Sequence, residues 1–183
     1  VIQNYSLGNV IGNQNVGGLI GKNNSVNIIN NYSQSLIDAN DYVGGLIGYN
    51  LGNLNYNYSA TTITSVSNAG GLVGYNEGVV DNSYYDSTLS GFSDSDKGIP
   101  KTTFELKFKD TFIGWDFENV WMIDNGFSYP NFKSKLPPLN KNDDNYYEIW
   151  YLDDLSLVKN YLNNDYILMS DLNFLDSKSY KNN

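Results

Sequence analysis

The chain has 183 residues, 40% hydrophobic and 15% aromatic, which is enough apolar material for a packed core and too much for a disordered tail. Eleven Lys and Arg against twenty Asp and Glu give a formal charge of -9, which argues against nucleic acid or an anionic membrane as the partner. Cys and His are both absent, excluding disulfide frameworks, thiolate nucleophiles, Ser-His-Asp triads and zinc centres, and no apolar run approaches the roughly 18 residues of a membrane span.

The first 90 residues are repetitive. Gly17-Gly18-Leu19-Ile20-Gly21 returns as Gly44-Gly45-Leu46-Ile47-Gly48 and as Gly70-Gly71-Leu72-Val73-Gly74, at spacings of 27 and 26 residues. The match extends upstream: Val1-Ile2-Gln3-Asn4-Tyr5-Ser6 lies over Ile28-Ile29-Asn30-Asn31-Tyr32-Ser33 and over Leu54-Asn55-Tyr56-Asn57-Tyr58-Ser59. Val10-Ile11 falls over Leu36-Ile37 and Thr62-Ile63. Short apolar runs bounded by Asn, Gly, Ser and Asp read as strands joined by tight bends. A unit of this length fits one coil of a parallel β-helix with two or three short strands, stacked about 4.8 Å from the next. A propeller or a sandwich of hairpins needs a tight hairpin turn inside each unit, and the units lack one.

The expected fold is therefore an all-β solenoid: a right-handed parallel β-helix of about three and a half coils with an aromatic cap segment, followed by a small α/β segment. In each coil the Gly pair is expected to supply positive φ at a corner. Leu19, Leu46 and Leu72 are expected to point inward and stack, and Asn4, Asn31 and Asn57 to form an amide ladder.

Gly-Gly-Leu-Ile-Gly-Tyr-Asn at 44–50 and Gly-Gly-Leu-Val-Gly-Tyr-Asn at 70–76 resemble GLUG repeats, the first copy departing with Lys22 where the others have Tyr49 and Tyr75. Ser83-Tyr84-Tyr85-Asp86, Gly114-Trp115-Asp116-Phe117, Val120-Trp121 and Tyr129-Pro130 resemble the segment that closes such an array. Repeats of this kind occur in large bacterial and archaeal surface proteins, including filamentous-haemagglutinin-like adhesins and non-catalytic parts of secreted peptidases. The resemblance implies extracellular display at the cell surface and adhesion. It implies as partner a glycan or protein on a host or neighbouring cell, or self-association, and names no ligand.

Beyond residue 90 Gly and Asn thin out. Residues 91–135 read as the C-terminal cap of the array, opening with a short helix over 102–109 capped by Thr102 or Thr103, with Phe104 and Phe108 four apart. Phe112, Trp115, Phe117, Trp121 and Phe127 are expected to cover the end of the hydrophobic column, in preference to Trp115 and Trp121 forming a sugar-stacking platform. Residues 136–145, with Pro137-Pro138 and a polar run, read as a solvated linker. Residues 146–183 read as the strand, helix, strand opening of a second, truncated array: a strand at 146–150, an amphipathic helix at 152–162 and a strand at 166–174. The chain reads as a fragment of a longer repetitive protein.

Several side chains carry candidate chemistry. Asp38 with Asp41, and Asp81 with Asp86, are the carboxylate pairs that a glycosidase would need, but they fall in turns and do not recur in phase. Asp94 and Asp96, in Asp94-Ser95-Asp96-Lys97-Gly98, are candidate calcium ligands in an incomplete loop pattern, and no other cofactor is expected. Asn4, Asn23, Asn31 and Asn57 each open an Asn-X-Ser acceptor pattern for glycosylation. Tyr5, Tyr32 and Tyr58 form one stripe which, like the shorter one that follows, is read first as ladder packing and would stack on sugar rings if outward. Tyr49 and Tyr75, with Asn50 and Asn76 beside them, form a second that is the better ligand-binding candidate, because a surface position tolerates the change to Lys22. The expected role is a non-enzymatic stalk and adhesion module giving a rigid spacer and multivalent weak binding. The rivals are a carbohydrate-active β-helix enzyme or its glycan-binding part, and a structural filament subunit.

Overall fold

A computed structural model describes residues 1–24, 26–65, 67–133, 141–149, 158 and 165–169. The chain forms two units, Val1–Lys133 and Ser134–Asn183.

The first unit is a parallel β-solenoid with three complete coils. Each coil contributes five short strands, where the sequence suggests two or three. Coil one contains β1 (Tyr5–Ser6), β2 (Val10–Ile11), β3 (Gln14–Gly17), β4 (Ile20–Asn23) and β5 (Ile28–Ile29). Coil two contains β6 (Tyr32–Ser33), β7 (Leu36–Ala39), β8 (Asp41–Gly44), β9 (Ile47–Asn50) and β10 (Asn53–Asn55). Coil three contains β11 (Tyr58–Ser59), β12 (Thr62–Ser65), β13 (Ala69–Gly70), β14 (Val73–Asn76) and β15 (Val79–Asp81). A fourth coil opens with β16 (Tyr84–Asp86), turns into the one-turn helix α1 (Ser87–Ser90), and returns as β17 (Ile99–Lys101) along the edge of β16. Equivalent strands pair in parallel one repeat apart, as in Tyr5↔Tyr32, Tyr58↔Tyr32 and Tyr58↔Tyr84.

The interior follows from this register. Leu46 and Leu72 are fully buried in one cluster with Ile28, Ile47, Leu54, Val73 and Tyr85, against which Leu19 packs. Val16, Ile37, Ala39 and Val43 form a second. The Asn ladder is present as well. Asn31 Oδ1 accepts from the Asn4 backbone N–H at 2.9 Å, Asn57 Oδ1 accepts from the Asn31 N–H at 2.9 Å, and Ser83 Oγ ends the series under the Asn57 N–H at 3.1 Å. Each amide meets a backbone donor that the bend would otherwise leave unpaired.

The corners differ from expectation. None of the Gly-Gly pairs lies in the positive-φ region. Left-handed residues instead recur at Gln3, Asn30, Tyr56 and Asn82, and at Asn15, Tyr42 and Asn68, with φ between 41° and 58°. Asn tolerates this region better than other side-chain-bearing residues, which explains its recurrence at the bends. The glycines are needed for close approach. A Cβ on Gly44 would lie 2.0 Å from the Ile47 carbonyl oxygen and 2.5 Å from Gly74 N, so this segment packs backbone against backbone. A Cβ on Gly45 would meet Ser59 Oγ at 2.0 Å and the Gly71 carbonyl oxygen at 2.2 Å, where inward hydroxyls run through the core. Ser59 Oγ donates to Thr61 Oγ1 at 2.9 Å, as Ser33 does to Ser35.

The segment after residue 90 has two tasks rather than one. The end of the coil is closed by the loop up to β17: Phe92 packs on the Leu46 and Leu72 cluster, Gly98 lies against Leu72 and Tyr85, and Lys97 Nζ donates to the Ala69 carbonyl at 3.4 Å. The aromatic residues do not cover that end. They run back along the side of the solenoid as a strap against the stacked tyrosines. Phe112 meets Tyr84, Trp115 lies against Tyr84 and Tyr58, Trp121 against Tyr58 and Tyr32, and Phe132 against Tyr32 and Tyr5. Tyr5, Tyr32 and Tyr58 stack at 5.1 and 5.0 Å with rings within 8° of parallel. Phe127 is 78% exposed and takes no part. The strap carries β18 (Trp121–Met122) paired antiparallel with β19 (Asn131–Phe132).

The helix expected at 102–109 resolves into two 3-10 turns, Glu105–Lys107 and Lys109–Thr111. Its start signal is real, since Thr102 Oγ1 accepts from the Glu105 N–H at 3.2 Å and Glu105 Oε2 accepts from the Thr102 N–H at 2.8 Å. Tertiary bonds prevent its extension. The Glu105 carbonyl accepts from Thr111 Oγ1, the Lys107 carbonyl accepts from the Gly126 N–H, and Phe108 is extended.

Burial, and then Tyr5, push the Tyr32 phenol up to about 12, and burial pushes Tyr58 well above its ordinary value. An unfolded tyrosine ionises near pH 10. The folded chain therefore keeps phenolic protons that the unfolded chain gives up. That stabilisation is complete below about pH 10 and is lost as the pH rises through about 12. The thermal midpoint is expected to change little between about pH 8 and 10 and to fall steeply above that. A midpoint still flat at pH 12 contradicts the buried tyrosine ladder.

In the second unit β20 (Tyr147–Ile149) and β21 (Tyr166–Leu168) pair in parallel, and Val158, helical, packs with Tyr147 and Tyr166 around Ile149. Both strands fall within the spans read from the sequence. The rest of the helix at 152–162, and residues 170–174, lie outside the described residues. The end of the expected linker is an ordered turn: Asn145 is left-handed with φ 69°, and Asn142 N–H donates to the Tyr146 carbonyl at 3.0 Å.

Candidate functional site

The register that builds the core also places Lys22, Tyr49 and Tyr75 in one file on β4, β9 and β14. The Tyr49 and Tyr75 rings stack with centroids 4.9 Å apart and 28° between planes. Lys22 Nζ sits 5.0 Å from the Tyr49 ring centroid, within the range of a cation–π contact. The change from Tyr to Lys in the first coil thus substitutes one partner of an aromatic face for another. Tyr42 closes the group from the side, edge-on to Tyr49 at 5.8 Å and to Tyr75 at 5.4 Å.

Tyr42 and Glu77 were not legible as members of this group. Tyr42 occupies the left-handed corner, φ 50°, where the flanking coils carry Asn15 and Asn68. A bulky residue is uncommon in that region, and from that corner the Tyr42 ring lies edge-on to the stack. Glu77 Oε1 accepts from both Tyr49 (3.3 Å) and Tyr75 (3.1 Å) hydroxyls. Partial burial and then Glu77 raise the Tyr49 pKa, and the Glu77 hydrogen bond and charge raise that of Tyr75. The signal available in the sequence is the Tyr replacing Asn at position 42.

Asn50 and Asn76 do not belong to this surface. Asn50 is fully buried, accepts from Asn23 Nδ2 at 2.7 Å and from the Gly52 N–H at 3.1 Å, and donates to Asn76 Oδ1 at 2.8 Å. Asn76 Oδ1 also accepts from the Gly78 N–H, so Asn23, Asn50 and Asn76 form a second amide ladder. Alternation along β9 and β14 explains this: Tyr points out and the next residue in. Asn50→Ala leaves the Gly52 N–H and Asn23 without their partner, and is expected to cost about 1–3 kcal/mol in chemical denaturation. A loss under about 0.5 kcal/mol removes the ladder as a stabilising element.

The remaining candidates are dispersed. Asn31 and Asn57 are fully buried and Asn23 nearly so, which keeps their amides from any glycosylating enzyme; Asn4 is exposed. Asp94 is half-buried in the closing loop, where Tyr85 OH donates to its carbonyl at 2.7 Å and to Oδ1 at 3.3 Å, and Lys97 Nζ lies 3.9 Å from Oδ2. Asp96 is exposed. Among the described residues no three His, Cys, Asp or Glu side chains gather as a metal site.

Asp86 is not a solvated turn residue. It is fully buried at the N-cap of α1, accepting from the Leu89 N–H at 2.9 Å, from Thr103 Oγ1 at 2.7 Å and from Tyr129 OH at 2.5 Å. It ties the fourth coil to Thr103, ahead of the strap, and to Tyr129 within it. Asp38 and Asp81 are exposed, and Asp41, held by Asn68 and Gln14, has its pKa lowered by those hydrogen bonds, Asn68 first. Trp121 is fully buried and Trp115 nearly so, each with its indole N–H bonded, to Asn30 Oδ1 and the Asn82 carbonyl, so neither is a sugar platform.

Fold and surface together define a parallel β-solenoid repeat protein with a half-buried file of Tyr49 and Tyr75 beside exposed Lys22. Comparison of the chain with protein-family models, with curated proteins and with solved structures finds no match. Among the described residues no helix is long and apolar enough to cross a membrane.

Proposed function

We propose that the chain is a non-enzymatic stalk and adhesion module of a large secreted or cell-surface protein of the GLUG-repeat kind. The observation that supports this most is the file of Lys22, Tyr49 and Tyr75, in which consecutive coils offer side chains at one surface position, one strand spacing apart. Such a file gives repeated weak contacts along a stiff axis, and their sum is avidity. The spacer role is supported by the continuous ladders of Asn and Tyr and by the strap that spans all four tyrosine rungs. The partner is a glycan or protein on a neighbouring surface.

The rival, a carbohydrate-active enzyme, needs a free pair of carboxylates. Asp86 is committed to α1, Thr103 and Tyr129, which favours the binding module. A glycan array followed by product analysis discriminates. Binding without cleavage, lost in Tyr49→Ala, is the expected result. Cleavage abolished by Asp81→Asn or Asp86→Asn overturns it.

A further inference from the structure

We infer that Tyr49 and Tyr75 form a site of oxidative modification: in the presence of a haem peroxidase and hydrogen peroxide the two phenols join ring to ring as a dityrosine, with Glu77 taking the phenolic protons. The bond ties coil two to coil three across one repeat, the task that a disulfide serves in chains with cysteine, which this chain lacks.

Three conditions for coupling meet at this pair. The rings are stacked with centroids 4.9 Å apart and 28° between planes, on residues that parallel pairing sets opposite each other on β9 and β14. Both side chains are half-buried on the outer face of the sheet, within reach of an oxidant in solution. Coupling requires the rings to swing about χ1 and χ2 from stacking to bonding distance, a motion open to side chains at the surface. Both hydroxyls donate to one atom, Glu77 Oε1, at 3.3 and 3.1 Å. A phenol gives up an electron readily only when its proton leaves as well, and a carboxylate already hydrogen-bonded to it is the base positioned to take that proton. Each phenol loses one electron to the peroxidase and one proton by way of Glu77 to water. The two phenoxyl radicals form one bond between carbons ortho to oxygen, and the hydrogens of those carbons move through solvent to the oxygens, restoring both hydroxyls. The two electrons and two protons reduce one hydrogen peroxide to two waters, so the chain loses two hydrogen atoms.

Among the described residues the other neighbouring tyrosines each miss one of these conditions. Tyr5, Tyr32 and Tyr58 stack as closely, at 5.1 and 5.0 Å. Tyr32 and Tyr58, however, are buried against Trp121 and donate to Asn131 Oδ1 and the Pro130 carbonyl, amide oxygens too weakly basic to take a proton. Tyr129 does donate to a carboxylate, Asp86 Oδ2, but the tyrosine stacked on it, Tyr58, is fully buried and 6.2 Å away. Tyr42 lies edge-on to Tyr49 and Tyr75, its ring 74° and 79° from theirs. Tyr147 and Tyr166 in the second unit stand further apart, at 5.9 Å.

The test is exposure of the intact chain, in dilute solution, to a haem peroxidase and hydrogen peroxide, followed by intact mass, denaturing electrophoresis and mapping of cross-linked peptides. The expected product is a monomer lighter by two hydrogen atoms, with dityrosine fluorescence and one cross-link, between Tyr49 and Tyr75. Tyr49→Phe and Tyr75→Phe each keep a ring in the stack, and are expected to lose that product while retaining the circular dichroism of the parent. Glu77→Gln, which keeps an accepting oxygen but no base, is expected to slow its formation roughly tenfold. The site is overturned by an absence of dityrosine, by cross-links that join separate chains only, or by a bond at Tyr42 or within Tyr5, Tyr32 and Tyr58 in place of the expected one. An undiminished monomeric product in either Phe variant also overturns it. An unchanged rate in Glu77→Gln overturns the role of Glu77 as proton acceptor.

Discussion

Gly45→Ala is expected to lower stability by about 3 kcal/mol or more and the thermal midpoint by roughly 10 °C or more. The added carbon would lie 2.0 Å from Ser59 Oγ and 2.2 Å from the Gly71 carbonyl oxygen. One of those neighbours is backbone, so a rotamer change cannot relieve the contact. The carbonyl belongs to the next coil, and moving it disturbs the register of the stack. Gly44→Ala meets the Ile47 carbonyl oxygen at 2.0 Å and should behave alike. Gly8→Ala is the control: nothing lies within 4 Å of its Cβ position and its φ is not positive. Its midpoint should stay within about 2 °C of the parent. Thermal unfolding by circular dichroism of the three variants decides the matter. If Gly45→Ala melts with Gly8→Ala, close backbone approach is not what requires the glycine.

Trp121→Ala is expected to cost about 3–5 kcal/mol and to release the strap. The indole is fully buried among Tyr32, Tyr58, Trp115 and Phe132, with ring centroids 4.4 to 6.1 Å away. Its removal takes away the contact that spans two coils and leaves a void at the middle of the tyrosine file. Amide hydrogen exchange should accelerate first at β18, β19 and the Lys133 N–H, which donates to the Val120 carbonyl at 2.9 Å. Phe127→Ala, on the same strap but 78% exposed, should change stability by less than about 0.5 kcal/mol. Similar losses from the two variants would mean that the strap is held by something other than its fit to the tyrosines.

Both variants concern residues that the sequence marks as notable while leaving their task open. The Gly-Gly-Leu phrase reveals the period. The period brings Leu46 over Leu72 and Asn31 over Asn57, because identical side chains one coil apart must stack. The φ values that make the corners are carried by Asn15, Asn30, Asn68 and Asn82, and a run of Asn in a repeat does not say which of them bends. Alternation places Tyr49 and Tyr75 outward, and the same alternation, applied one residue further, would have sent Asn50 inward to its ladder.

The strap was harder to read. Five aromatics near the end of an array suit an end cap as well as a lateral brace. The period places Tyr84, 26 residues after Tyr58, in the file of Tyr32 and Tyr58, but nothing in the spacing of the five reveals that Trp115 and Trp121 follow that file back. Buried Asp86 was unreadable for the same reason, its partners Thr103 and Tyr129 being distant in sequence. Local pattern, one repeat deep, determined the solenoid, its register and the outward tyrosines, since a stack of identical coils makes every contact from the nearest copy of itself. Contacts between non-repeating segments decided the closing loop and the path of the strap, while departures from the repeat decided the meeting of Tyr42, Tyr49, Tyr75 and Glu77, where a left-handed corner and a carboxylate converge only after the chain has folded.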